Sequence, residues 1–361
     1  MSNGPLRLKR VLIGVVATVT GCAAIGLASI EIAQWQTRNS TRIESPNGIE
    51  SLEVIQLGGV PQTIYLRGRD QDNPVLLFLH GGPGVPSMPG AREFGLLLEE
   101  HFVVVHWDQR GAGNSCSSDV PDESLHFEQY LADTLELVNL LRHRFDDDKI
   151  YLLGHSWGSV LGLVTAQRHP DLLHAYVGMG QVVNGLRNEE VSLRFVREQA
   201  KAEGNETALE QLAALRPPYA NLEDLMLQRR WLGHYRGDYL EGGAIAKLAL
   251  GVILSPEYST RKILSFYSCA MNSLDQASSG VADVDFVASV PSLRVPAFFF
   301  SGRHDYNTPF ELVEEYVETL DAPHKEIVWF ENSAHMPNLE EPKRFQEMLI
   351  EKLLGEMPPD A

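Results

Sequence analysis

The chain has 361 residues, 44% of them hydrophobic and 22% charged, enough for one large domain with an insertion or for two modest ones. Its 48 acidic and 30 basic side chains leave a net charge of −18, and such a surface, with no basic stripe to offset it, excludes a nucleic-acid partner. Three scattered cysteines, Cys22, Cys116 and Cys269, make neither a disulfide framework nor a zinc site and read as buried thiols. There is no glycine-rich phosphate loop and no metal-ligand spacing, so no metal or organic cofactor is expected.

Arg7, Lys9 and Arg10 precede an uncharged run from Val11 to Ile30. Twenty helical residues span ~30 Å, the thickness of a bilayer core. The run therefore predicts an N-terminal transmembrane helix over 11–30, with residues 1–10 cytoplasmic and everything after Glu31 on the extracytoplasmic side. Two alternatives stand beside this anchor: a lipoprotein acylated at Cys22, where "VTGC" resembles a lipobox, and a cleaved signal with a secreted product. Residues 31–47 read as a linker.

From residue 48 the pattern is that of a folded core. "ESLEVIQLGG" and "QTIYLRG" predict a hairpin turning near Gly58 and Gly59. "PVLLFLH", "FVVVHW", "KIYLLGH" and "HAYVGMG" are continuous apolar runs separated by helical stretches, the signature of a mostly parallel sheet covered on both faces. The alternation stops near Val183. Residues 184–291 read as helical pieces, and "PAFFFSG" and "KEIVWF" then resume the sheet. The core is thus 48–183 with 292–356, and 184–291 is a helical cap inserted into it.

Gly154-His155-Ser156-Trp157-Gly158 fits G-x-S-x-G between a strand and a helix, where a sharp turn lifts a serine above the strand ends. Serine alone is a weak nucleophile and needs a base and a group to orient that base. In proteins built on this turn the chain order is serine, acid, histidine. Asp305, just past "FFFSG", takes the acid's place, and His335, in the loop after the last strand, takes the base's. His304 reads as a packing or solvent residue. "HGGPG", His80–Gly84, follows a strand that should neighbour the nucleophile strand. It predicts an oxyanion hole from the N–H groups of Gly82 and Trp157.

Taken together, "HGGPG", "DQRGAGNS", "GHSWGS" and "SGRHDYNTP…SAHMPNLEEP" resemble the prolyl iminopeptidase-like branch of the α/β-hydrolase superfamily, from about Ile49 to Leu354 outside most of the cap. The resemblance implies a serine hydrolase with an eight-stranded sheet and a helical cap. Two departures stand out. The family usually has glycine where this chain has His155, and its cap bears a tryptophan–glutamate pair that "RRWLGHYRGDYLEGG" lacks. Asp238 and Glu241 are the nearby acids and the candidate holders of a substrate amino group.

The expected function is an aminopeptidase or amidase acting on small peptides or amino-acid amides through an acyl-enzyme. The alternatives are a carboxylesterase of small acyl groups and a non-catalytic receptor on the same fold. The partners are a small-molecule or peptide substrate and, through the N-terminal helix, the membrane. Nothing in the sequence sets the oligomeric state.

Overall fold

The computed structural model describes residues 25–277 and 279–355. Eight strands form one sheet: β1 (Ile49–Leu57), β2 (Val60–Gly68), β3 (Val75–Leu79), β4 (Val103–Asp108), β5 (Ile150–His155), β6 (Leu173–Met179), β7 (Ala297–Gly302) and β8 (Lys325–Phe330). Their spatial order is β1-β2-β4-β3-β5-β6-β7-β8. The hairpin β1–β2 and the β2–β4 pair are antiparallel, and every other neighbour is parallel.

The apolar runs are continuous because both faces of the parallel strands are buried. One face carries a core of Leu77, Val105, Leu152 and Phe299 under the helices Phe127–Phe145, Trp157–Arg168 and Phe310–Thr319. The other carries Leu76, Val104, Leu153 and Phe300 under the helix Pro342–Leu354. β5 lies inside the sheet between β3 and β6, so whatever follows it stands at the centre of the molecule's upper edge.

Between β6 and β7 the chain is helical: Gly185–Glu203, Glu206–Leu212, Leu222–His234, Ala244–Leu254 and Thr260–Ala277 are its main helices. Its two ends meet, because Asn184 bridges Asp285 and the Phe286 N–H donates to the Val183 carbonyl. The first three helices enclose a core of their own around Leu193, Val196, Leu212, Trp231 and Leu232. The last helix instead presses on the loops after β3 and β4.

Two expectations are corrected here. Among the described residues no helix is long and apolar enough to cross a membrane. Residues 11–24 of the expected anchor, Cys22 with them, lie outside the described residues. The part that is described belongs to a helix over 25–40, which runs through the boundary expected at Ile30 and through much of the expected linker. That helix carries Glu31 and Arg38 and docks on the cap: Gln34 Nε2 donates to the carbonyls of Ile253 (2.9 Å) and Ser255 (3.0 Å), and Arg38 to that of Pro256 (2.8 Å).

Cys116 and Cys269 are also not the free buried thiols expected, for they form a disulfide across a sequence separation of 153. Separation in sequence hid this pair, since the fold brings the loop after β4 against the helix Thr260–Ala277.

Candidate active site

β5 ends at His155, and Ser156 follows with φ 53° and ψ −117° before the helix Trp157–Arg168 starts. A non-glycine residue held at such a φ costs on the order of 1–3 kcal/mol and persists only where its surroundings over-determine it. Here the Ser156 N–H donates to the Met179 carbonyl at 3.0 Å. A Cβ on Gly154 would strike the Gly158 carbonyl, and one on Gly158 the carbonyl of Leu79. Both glycines are therefore demanded by close approach, which brings β3, β5 and the helix into backbone contact. The serine stands at the positive end of that helix.

The His80–Gly84 loop lies directly beside it. A Cβ on Gly81 would come within 3.1 Å of Ser156 Cβ and 3.0 Å of His155 Nδ1. Buried His80 braces the loop: its Nε2 accepts the Gln109 N–H at 3.1 Å, which leaves Nδ1–H to donate to the Gly81 carbonyl at 2.8 Å. Burial lowers the His80 pKa to about 4, against the favourable Gly81 contact, so the ring is neutral at pH 7. Gln109 in turn accepts from the Trp157 indole at 3.0 Å, tying the loop after β4 to the residue after the serine.

Asp305 lies past the end of β7 and is fully buried. Its Oδ1 accepts the N–H groups of Asn307 (2.9 Å) and Thr308 (2.8 Å), and its Oδ2 the Thr308 hydroxyl (2.7 Å). The same Oδ2 is 2.9 Å from His335 Nδ1. That bond fixes the Nδ1–H tautomer of the neutral ring, so Nε2 keeps its lone pair. The ring lies over Gly180, where a Cβ would come within 2.8 Å of Cε1. Burial opposes protonation of His335, but the Asp305 carboxylate, with Asp238 behind it, outweighs burial and raises the pKa. His324 also follows Asp305 in the chain. It precedes β8 at the opposite end of the sheet, tilted on Phe298 and 3.5 Å from Glu326, and is no part of this cluster. His304 is exposed.

The two cap acids part company. Asp238 is at the site: its carbonyl accepts the His335 N–H at 3.0 Å and its carboxylate the Asn307 side-chain amide at 2.9 Å. Burial raises its pKa, the neighbouring Asp305 adds to this, and His335 and Asn307 oppose it. Glu241 is exposed, and only its main chain is engaged, donating to Glu340. Glu340 also accepts the N–H groups of Leu240 (2.6 Å) and Ala334 (2.8 Å), so it staples the cap to the histidine loop.

A family model described as alpha/beta hydrolase fold matches residues 74–342. The chain belongs to the α/β-hydrolase family. It is 34% identical over 310 residues, 85% of this chain and 97% of the other, to a probable aminopeptidase, YbaC, of Bacillus subtilis (strain 168). A probable proline iminopeptidase of Leptolyngbya boryana is 34% identical over 134 residues, 36% of this chain and 38% of its own. The crystal structure of a proline iminopeptidase from Mycobacterium smegmatis superposes with a TM-score of 0.59 at 19% identity, covering 84% of this chain and 98% of that one. This α/β-hydrolase is thus an enzyme of the prolyl iminopeptidase-like branch.

Several residues around the candidate site escaped the sequence reading. Thr308 contacts both Asp305 and His335, yet in "DYNTP" it looks like an ordinary turn residue. Asp108 and Arg110 of "DQRG" tie loops together. Arg110 forks onto Asp133 at 2.9 and 3.0 Å, and Asp108 accepts from the Tyr258 hydroxyl at 2.8 Å. Burial pushes the Asp108 carboxyl up to about 7, while the Asn114 N–H, Tyr258 and Lys262 hold it down. Tyr258 comes from the cap, 150 residues away in sequence, and nothing short-range could signal it.

Proposed function

We propose that this α/β-hydrolase cleaves acyl bonds with Ser156 as nucleophile, His335 as base and Asp305 as the group that orients the base. The observation carrying this reading is the 2.9 Å Asp305–His335 bond, which directs the ring's proton away from Nε2, with that ring 4.8 Å from the ring of His155, the residue before a serine held at positive φ. In the mechanism, His335 Nε2 takes the Ser156 hydroxyl proton as oxygen attacks the substrate carbonyl. The tetrahedral oxyanion forms against the amides of Gly82 and Trp157, and losing one such donor typically costs about 3 kcal/mol. His335 then gives its proton to the leaving amine, the acyl-enzyme forms, and water repeats the sequence to release the acid.

The substrate class best supported is a small peptide or amino-acid amide with a free amino group. The named aminopeptidase relatives point this way, and Asp238 supports it as the half-buried cap carboxylate beside His335. An ammonium beside it would relieve the burial that raises its pKa. Glu241, exposed as it is, is left out of this role. The Cys116–Cys269 bond supports an oxidising, extracytoplasmic setting for the catalytic domain.

Comparison of free and N-acetylated aminoacyl amides tests the substrate reading. Acetylation is expected to lower kcat/KM by about 100-fold or more, because it removes the charge that Asp238 pairs. Equal rates on both, with neutral short-chain esters preferred, would instead identify an esterase.

A further inference from the structure

His155, directly before the nucleophile, is buried, and its contacts go where the chemistry is. Its Nε2 lies 3.1 Å from the His335 carbonyl, so Nε2–H donates to the main chain of the candidate base. The two rings are 4.8 Å apart at 44°. Its Nδ1 edge abuts Gly81, where a Cβ would come within 3.0 Å. The other main-chain group of His335, its N–H, is held by the Asp238 carbonyl. The main chain of His335 is thus held at its N–H by the cap and at its carbonyl by His155. No other side chain donates a hydrogen bond to that carbonyl among the described residues.

We infer that His155 is a positioning residue, which sets the distance between the nucleophile turn, the His335 loop and the Gly81–Gly82 loop through one imidazole. The inference rests on the hydrolase reading of Ser156 and His335. A ring serving only as core filler would need bulk and no N–H. A positioning ring needs the donor, because the His335 carbonyl otherwise loses its partner and the loop shifts. A displacement of ~1 Å at a reacting group costs on the order of 100-fold in rate.

The variants that separate these roles are His155→Phe, which keeps the ring and removes the donor, and His155→Gln, which keeps an N–H of similar reach. Both are assayed for kcat and KM on an aminoacyl p-nitroanilide, for the rate of fluorophosphonate labelling, and for the low-field proton resonance of His335 Nδ1–H. His155→Phe is expected to lower kcat by at least about 10-fold with KM changed less than ~3-fold, to slow labelling in parallel, and to shift or broaden the resonance. His155→Gln is expected to recover most of the rate. A Phe variant with wild-type kcat and an unmoved resonance overturns the inference. If the Phe variant does not fold, His155→Asn, whose amide is too short to reach the carbonyl, replaces it against Gln, and equal rates for that pair are the contradicting result. A wild-type enzyme that turns over without taking label at Ser156 removes the hydrolase reading itself. Normal labelling that is indifferent to residue 155 removes only the role given to His155.

Discussion

Ser156 and His335 owe their geometry to different kinds of constraint. The serine is fixed locally, by glycines that let three backbone segments touch. The histidine is fixed by distant groups: Asp305 on its ring, Asp238 and His155 on its main chain. This is why the serine was legible as a five-residue motif, whereas the histidine needed the chain order of a fold. Order alone leaves two histidines after Asp305, and only placement past the upper end of a strand chooses His335 over His324. Ser156→Ala and His335→Ala are each expected to lower kcat by about 10⁴-fold or more, with the double variant scarcely worse than either, because members of one catalytic unit fail together. Steady-state kinetics on folded variants checks this. The pH profile is a second test. The proposed base, His335, must be neutral, and the Asp305 carboxylate raises its pKa, so kcat/KM should fall about tenfold per unit on an acid limb displaced upward from that of a free imidazole. Asp305→Asn removes the stabilising carboxylate and leaves burial unopposed by it, so the inflection should move to lower pH.

The elements around the site divide the cap between two sets of candidate catalytic loops. Helices Gly185–Glu203 and Leu222–His234 lead to Asn188, which donates to the Asn307 carbonyl at 2.7 Å, and to Asp238 on His335; they grip the Asp305 and His335 loops. The helix Thr260–Ala277 grips the opposite side. A Cβ on Gly84 would meet its Ser273 and Ala270 at 2.8 and 3.0 Å, Ser273 donates to the Gly111 carbonyl, and Cys269 is bonded to Cys116. The disulfide therefore sits one residue from the atoms that seat the candidate oxyanion loop. Reduction, or replacement of both cysteines by serine, is expected to lower unfolding stability by about 2–5 kcal/mol, as read by calorimetry. It should also lower kcat more than it raises KM, because Gly84 loses its support. Asp238→Asn is the matching test on the other side. It should reduce kcat/KM for free aminoacyl amides far more than for acetylated ones, whereas equal losses would mean that Asp238 serves only to hold the His335 loop. The cap's helical character was readable from its periodicity. Its attachments were not, since Tyr258 to Asp108 and Cys269 to Cys116 are pairings that only the closed fold creates.

Across the whole molecule, the parallel strands inside the sheet were legible because burial on both faces demands continuous apolar runs, and five such runs coincide with β3 to β7, while the partly buried edge strand β8 showed as "KEIVWF". The hairpin was equally plain, with β1 half-exposed as an edge strand. The N-terminal run was misread past Ile30 because an apolar stretch does not reveal where its helix acquires a docking face; Gln34 and Arg38 find cap carbonyls that no local pattern announces. What the fold achieves is convergence: the ends of β3, β5, β7 and β8 bring His80–Gly84, Ser156, Asp305 and His335 to one edge of one sheet. The measurement that tests this account most directly is the mass and site of a fluorophosphonate adduct on the native enzyme. One adduct per chain, mapped to the peptide bearing Ser156, lost in Ser156→Ala and strongly slowed in His335→Ala, is the predicted result. Full turnover in an enzyme that takes no adduct, or takes it on another residue, would contradict it.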